Sequence, residues 1–107
     1  MGLDESLGSG MPNFALQVTL RLHPGSAGAF LPLIQSAAAA AVRDEVDCHA
    51  FHVAQSEEDP DVFVLFEIYT NAMALEVHHQ QPHFLAFGEQ AAGLILEKSS
   101  QRLTLAS

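Results

Sequence analysis

The run DVFVLFEIYT, residues 61–70, constrains this chain more than any other stretch, because it is apolar on both of its faces. Val62, Val64, Phe66 and Ile68 fall on one side, and Phe63, Leu65 and Tyr69 on the other with Glu67 among them. β-Branched and aromatic residues at period two predict a strand, and a strand apolar on both sides must be covered on both sides. At 107 residues the chain has length for one domain with a modest core and not for two. One layer of helices can cover one face of a sheet, so the other face calls for a second subunit, most simply by twofold association.

The remaining elements follow from periodicity. FALQVTLRL, residues 14–22, alternates strictly, with Phe14, Leu16, Val18, Leu20 and Leu22 on one face. His23-Pro24-Gly25 turns the chain. From Ser26 to Glu45 the spacing is helical, through Phe30, Leu33, Ile34, Ala37, Ala38, Ala41 and Val42, with Pro32 near its start. CHAFHVAQS, residues 48–56, makes a hairpin with the doubly apolar strand across an acidic turn, EEDP. Thr70 is placed to cap a short helix, NAMALEVHHQ, with Met73, Ala74 and Val77 inward. Pro82 breaks that helix and opens another, PHFLAFGEQAAGLI, running to Ile95, before a last strand, SQRLTLAS, with Leu103 and Leu105 facing in.

The order β-α-β-β-α-β is the ferredoxin-like α+β arrangement: a four-stranded antiparallel sheet with its helices on one face. Residues 1–12 read as a disordered lead-in, and 13–107 as a single domain. The apolar fraction of 49% and charged fraction of 16% suit a folded soluble protein, and no apolar run approaches the roughly 20 residues of a membrane span.

A formal charge of −9 repels phosphate backbones and anionic membrane surfaces, which argues against nucleic acid and membrane partners. The only basic residues besides histidine are Arg21, Arg43, Lys98 and Arg102, so an anionic substrate would have to rely on a few of these. Cys48 is the single cysteine; no intrachain disulfide can form, and a cytoplasmic setting is the default.

Phe14 to His23 followed by Pro24-Gly25, then Glu45 with Cys48 and Phe51, then FEIYTNAMALEVHHQQPHF, resemble the antibiotic biosynthesis monooxygenase domain family of dimeric α/β barrels. The resemblance runs from residue 14 to about 105 and is most specific at Glu67-x-Tyr69, Ala74, His78 and Pro82-His83-Phe84. It implies a homodimer joined through the open sheet face and a ligand pocket between sheet and helices in each subunit. Family chemistry is diverse, from cofactor-independent oxidation of anthrones and quinols to isomerisation of a phosphorylated sugar derivative and haem degradation. The haem-degrading branch relies on a tryptophan and an asparagine; this chain has no Trp and no Asn in its first strand.

Three of the six histidines lie in VHHQQPHF, residues 77–84. His79 and His83 stand four apart, as in zinc-binding helices, but Pro82 divides them and no second motif supplements them, so no metal site is expected. The same break places His78 in the last turn of one helix, where exposed carbonyls favour a charged imidazolium, and His83 in the first turn of the next, where the helix dipole favours a neutral ring. His83 is thus the expected base or orienting group, with His78 its partner or a dimer-contact residue, and His79 a surface residue. Glu67 and Tyr69 join them as catalytic candidates, although Glu67 could instead pair with Arg21 or Arg102. Phe51, Phe63, Phe66, Phe84 and Phe87, with His52, could wall a pocket for a small aromatic or apolar ligand, or could simply be core.

The leading functional expectation is a cofactor-independent monooxygenase acting on a phenol, quinol or anthrone. A cofactor-free isomerase of a small carbonyl compound, or a non-catalytic dimeric binding protein, would use the same pocket.

Overall fold

A computed structural model describes residues 12–107; nearly all of the expected lead-in lies outside the described residues. The elements are β1 (Phe14–Leu22), α1 (Ala27–Asp44), β2 (Cys48–Gln55), β3 (Val62–Tyr69), α2 (Ala72–His78), α3 (Pro82–Ala91) and β4 (Ile95–Thr104). The strands form one antiparallel sheet in the order β2-β3-β1-β4. This is the expected α+β ferredoxin-like architecture, with the second helix split in two at Pro82. No helix among the described residues is long and apolar enough to cross a membrane.

The turn after β1 works as its residues dictate. Gly25 takes a φ of +83°, and its N–H reaches the Asp61 carboxylate at 3.2 Å, tying this turn to the start of β3. Helix α1 runs unbroken past Pro32 and buries Phe30, Ile34, Ala38 and Ala41 against the sheet. Phe30 is the hub of the core: its ring lies 5.0 Å from Phe63 and 5.8 Å from Phe87, linking α1, β3 and α3.

Alternation along β3 buries Phe63, Leu65, Glu67 and Tyr69 under the helices and leaves Val62, Val64, Phe66 and Ile68 partly exposed on the open face. Strand β2 departs from strict alternation. Its pairing with β3 shifts between Cys48 and Ala50, so Cys48 pairs with Tyr69 while Phe51, three residues on, pairs with Glu67. A bulge of this kind reverses which residues face inward. It carries Phe51 and Val53 to the helix side and sends His52, opposite Phe66, to the open face.

Three element boundaries differ from the sequence reading, the first being the end of α3, which stops at Ala91 and leaves Ile95 to β4. Asn71, not Thr70, caps α2: its side chain accepts the Ala74 N–H at 3.0 Å, while the Thr70 hydroxyl donates to Asp47 at 2.8 Å. The buried stripe is accordingly Ala74, Leu75 and His78, with Met73 69% and Val77 49% exposed. Strand β4 also begins five residues before SQRLTLAS, because Ile95 pairs with Leu22 and the strand runs the full length of β1. Its middle, EKSSQR, has no apolar period, since an edge strand carries polar groups on both sides. The register then sets Lys98, Ser100 and Arg102 opposite Leu20, Val18 and Leu16 on the helix side, and turns Leu103, opposite Ala15, to the open face.

Candidate active site

Between the sheet and the helices lies a cavity of about 400 Å³. Its floor is Leu16, Val18, Leu20 and Leu65 of the sheet; Phe51, Phe84 and Phe87 form aromatic walls. Four groups able to exchange protons reach it: Glu67, His78, His79 and Lys98.

His78 is the most constrained of these. It closes α2 with its ring 5% exposed, held by Phe84 at 5.0 Å, Tyr69 at 5.6 Å and Phe51 at 5.9 Å. Its Nδ1 faces the Glu45 carboxylate, 2.8 Å from Oε2 and 3.1 Å from Oε1. An ionised carboxylate only accepts, so Nδ1 carries the proton and Nε2 is left basic. Burial lowers the His78 pKa below its ordinary value, against the opposing pull of Glu45, so the ring is neutral at physiological pH and not favoured in its charged form as its place at a helix end had suggested.

Glu45 belongs to the residues that carry the family resemblance, but nothing in the sequence around it assigns it a role. It is the first residue after α1, its N–H bonded to Ala41 at 3.0 Å, and it is only 8% exposed although it follows Arg43-Asp44 at the end of a polar helix turn. No local signal marks such a residue. Its partners come from 33 and 38 residues downstream, because His83 Nε2 also hydrogen-bonds to Oε2. His83, expected as the base or an orienting group, turns its ring to Glu45, where it can orient that carboxylate, and is not among the residues that line the cavity. His79, expected at the surface, is exposed there and also borders the cavity, beside Phe84 at 4.8 Å.

Glu45, His78 and His83 bring three potential ligand atoms within 4.8 Å of one another, the set among the described residues best able to hold a divalent cation. Both imidazoles already spend their facing nitrogen on Oε2, and a cation would have to displace those charge-assisted hydrogen bonds.

Glu67 is 3% exposed and pairs with neither Arg21 nor Arg102, as the sequence had allowed; it accepts the Tyr69 hydroxyl at 2.6 Å. Arg21 lies on the open face, bound to Asp59 and Glu97, and Arg102 reaches Glu76. Burial pushes the Glu67 carboxyl up to about 7, although Tyr69 and Lys98 favour its ionised form. Burial and the neighbouring carboxylate push the Tyr69 hydroxyl far above its usual range, so it serves as a donor and not as a base. Cys48, pushed up to about 12 by burial and then by Glu45 and Glu67, is an inert thiol.

Of the residues expected to wall the pocket, Phe51, Phe84 and Phe87 do so. Phe63 is fully buried against Phe30 in the core, and Phe66 and His52 stand on the open face, where the alternation of β3 and the bulge in β2 put them.

The fold and a cavity between sheet and split helix define a class of small α+β proteins. Residues 13–90 match the family model for antibiotic biosynthesis monooxygenases, and the chain belongs to that family. Among solved structures, the PA3566 protein of Pseudomonas aeruginosa shares 25% identity with a TM-score of 0.82, over 91% of this chain and 97% of that one. A Nitrosomonas europaea protein that bears the family's name shares 21% with a TM-score of 0.84, over 88% of this chain and 90% of that one. Rv0793 of Mycobacterium tuberculosis shares 23% with a TM-score of 0.78, over 89% and 96%. Among curated proteins no match is found.

Proposed function

We propose that the protein is a cofactor-independent monooxygenase that oxidises a phenol, quinol or anthrone in the cavity. One observation carries this: a buried, neutral imidazole on the wall of an apolar cavity, with a carboxylate behind its Nδ1. That arrangement turns histidine into an oriented base, as the carboxylate does in a hydrolase triad.

In this reading His78 Nε2 takes the acidic proton of the substrate, and Glu45 stabilises the resulting imidazolium. His83, on the other side of the same carboxylate oxygen and more exposed than His78, is a positioning residue and the route by which the proton reaches solvent. The electron-rich carbanion or phenolate then reduces dioxygen. For an anthrone, a CH2 group and O2 become a C=O group and H2O; the carbon supplies all four electrons, so no external reductant is needed. Glu67, protonated in part near neutral pH with Tyr69 bonded to its other oxygen, can donate a hydrogen bond to the developing oxyanion. The apolar walls keep water from the anion while oxygen, itself apolar, enters freely.

The active form in this reading is a homodimer, whose partner covers Val64, Phe66 and Ile68 on the open face.

Oxygen uptake with dithranol and 1,4-dihydroxynaphthalene in chelator-treated buffer tests the chemistry. Uptake should survive chelation and fall by a factor on the order of 10²–10⁴ in His78→Gln. No uptake from any such substrate, or uptake abolished by chelator, would overturn the reading; the second result would move attention to a cation held by Glu45, His78 and His83.

A further inference from the structure

This acidic chain has four Lys and Arg residues against thirteen Asp and Glu, and two of the four stand on the cavity wall. Lys98, Ser100 and Arg102 are spaced two apart on β4, so alternation sets all three on the helix side, and all three line the cavity. The other two cations are committed elsewhere: Arg21 to Asp59 and Glu97 at 3.1 and 3.3 Å, Arg43 to Asp44 at 2.8 Å. Lys98 has no ion pair among the described residues; Arg102 lies over the Phe14 ring at 5.5 Å, a contact that leaves its N–H groups free, and meets Glu76 at 3.6 Å with both side chains more than half exposed, a weak and solvent-screened pair.

The charge of both residues is felt at groups that line the cavity, and that of Lys98 at a buried one. After burial, the main influences holding the His79 pKa down include both Lys98 and Arg102, and Lys98 also draws the buried Glu67 toward its ionised form. The β4 wall is therefore electropositive and hydrogen-bonding, while the opposite wall, with Phe51, Phe84 and Phe87, is aromatic. Phe51 on β2 and Ser100 on β4 are three strand spacings apart, roughly 14 Å between backbones at about 4.8 Å per strand. Less the side chains at each end, that leaves room for a body of two or three fused rings bearing an acidic group at one edge.

We infer that the ligand of this cavity is an aromatic anion, its rings against Phe51, Phe84 and Phe87 and its carboxylate or phosphate ester held at the β4 wall by Lys98, Ser100 and Arg102. This rests on reading the cavity as the substrate site and adds to it the substrate class. A cation pair serving only to keep an edge strand from self-association would give no ligand preference. Anion recognition also orients the substrate, directing the ring edge opposite the acidic group toward His78 and away from Lys98.

Isothermal titration with 2-naphthoate, 2-naphthyl phosphate and the neutral 2-naphthamide tests the inference without turnover. At low salt at least one anion should bind about tenfold or more tightly than the amide, a difference that corresponds to one well-made charge contact. Comparing the two anions tells carboxylate from phosphate recognition. The preference should shrink as ionic strength rises and should vanish in Lys98→Gln/Arg102→Gln, with Tm reporting that the variant is folded; salt dependence in the unaltered protein reads the same property if it is not. Equal affinity for anion and amide, no binding of any of the three, or a preference that outlasts the double substitution would overturn the inference. Oxygen uptake with 1,4-dihydroxy-2-naphthoate against 1,4-dihydroxynaphthalene separates the two proposals. Preferential binding of the anions with uptake from neither quinol overturns the oxygenase reading and upholds the anion site, whereas equal uptake from both does the reverse.

Discussion

Replacing Glu67 by glutamine should stabilise the protein, and increasingly so as the pH rises. The carboxyl is 3% exposed between Leu65 and Tyr69, and burial lifts its pKa from 4.5 to about 7. An acid with a raised folded-state pKa keeps its proton in the native state where the unfolded chain has lost it. Below about pH 4 both states are protonated and the residue costs nothing; from about pH 4.5 to about pH 7 the unfolded state alone ionises, so native stability falls as pH rises, and it levels off above about pH 7. The rise from 4.5 to about 7, at about 1.36 kcal/mol per pKa unit, amounts to about 3 kcal/mol at pH 8. Glutamine has the same shape, and its carbonyl can still accept the Tyr69 hydroxyl, which leaves the 2.6 Å contact in place. The stability of Glu67→Gln relative to the parent should therefore grow from near zero at about pH 4 to about 3 kcal/mol at about pH 8, read from urea unfolding midpoints at constant m. In thermal melts the same gain is an increase on the order of 10 °C at the alkaline end. A difference independent of pH would refute the reasoning: it would mean that the ionised carboxylate is fully compensated where it sits.

Four further outcomes follow from the geometry. His83→Ala, which leaves His78 and Glu45 in contact, should cost turnover less than His78→Gln does, and should shift the pH profile of turnover rather than KM; equal losses would remove the distinction between base and positioning residue. Phe30→Ala, at the contact of α1, β3 and α3, should destabilise the fold by about 3–5 kcal/mol in denaturant titration. Asn71→Ala, which removes the acceptor for the Ala74 N–H, should cost about 1 kcal/mol by the same measurement, while Thr70→Val should leave α2 capped. Phe66→Asp, on the open face, should convert a dimer to monomer in light scattering with secondary structure retained; an unaltered protein that runs as a monomer at micromolar concentration would overturn the proposed assembly.

Periodicity carried most of the architecture. β1 is legible because alternation under one layer of helices leaves a record at every second residue, β3 because a run of β-branched and aromatic residues apolar on both faces reads as a covered strand, and α1 because its apolar stripe is long. The break at Pro82 was equally plain, since a proline ring decides its own backbone. Legibility ended where the chain's local pattern was silent or false: β4 carries no apolar period through its middle, and the bulge at the start of β2 leaves Phe51 at the cavity but turns His52 to the open face.

For the site, sequence alone brought out the residues of VHHQQPHF and the buried carboxylate in β3, because each is an unusual residue for its local setting, but only Phe51, Phe84 and Phe87 of the expected aromatic walls. It could not rank the histidines. Their roles turn on Glu45, which ends a helix 33 residues before His78 and meets it only once α1 and α2 are docked on the sheet. A one-residue difference in the cap of α2, from Thr70 to Asn71, accompanies the turn of Met73 outward and of His78 inward. The sequence by itself determined which elements form, since hydrophobic period and proline geometry are local. The tertiary structure decided which imidazole meets the cavity and which cations surround it, since strand register and helix docking are set by distant pairings that no local pattern records.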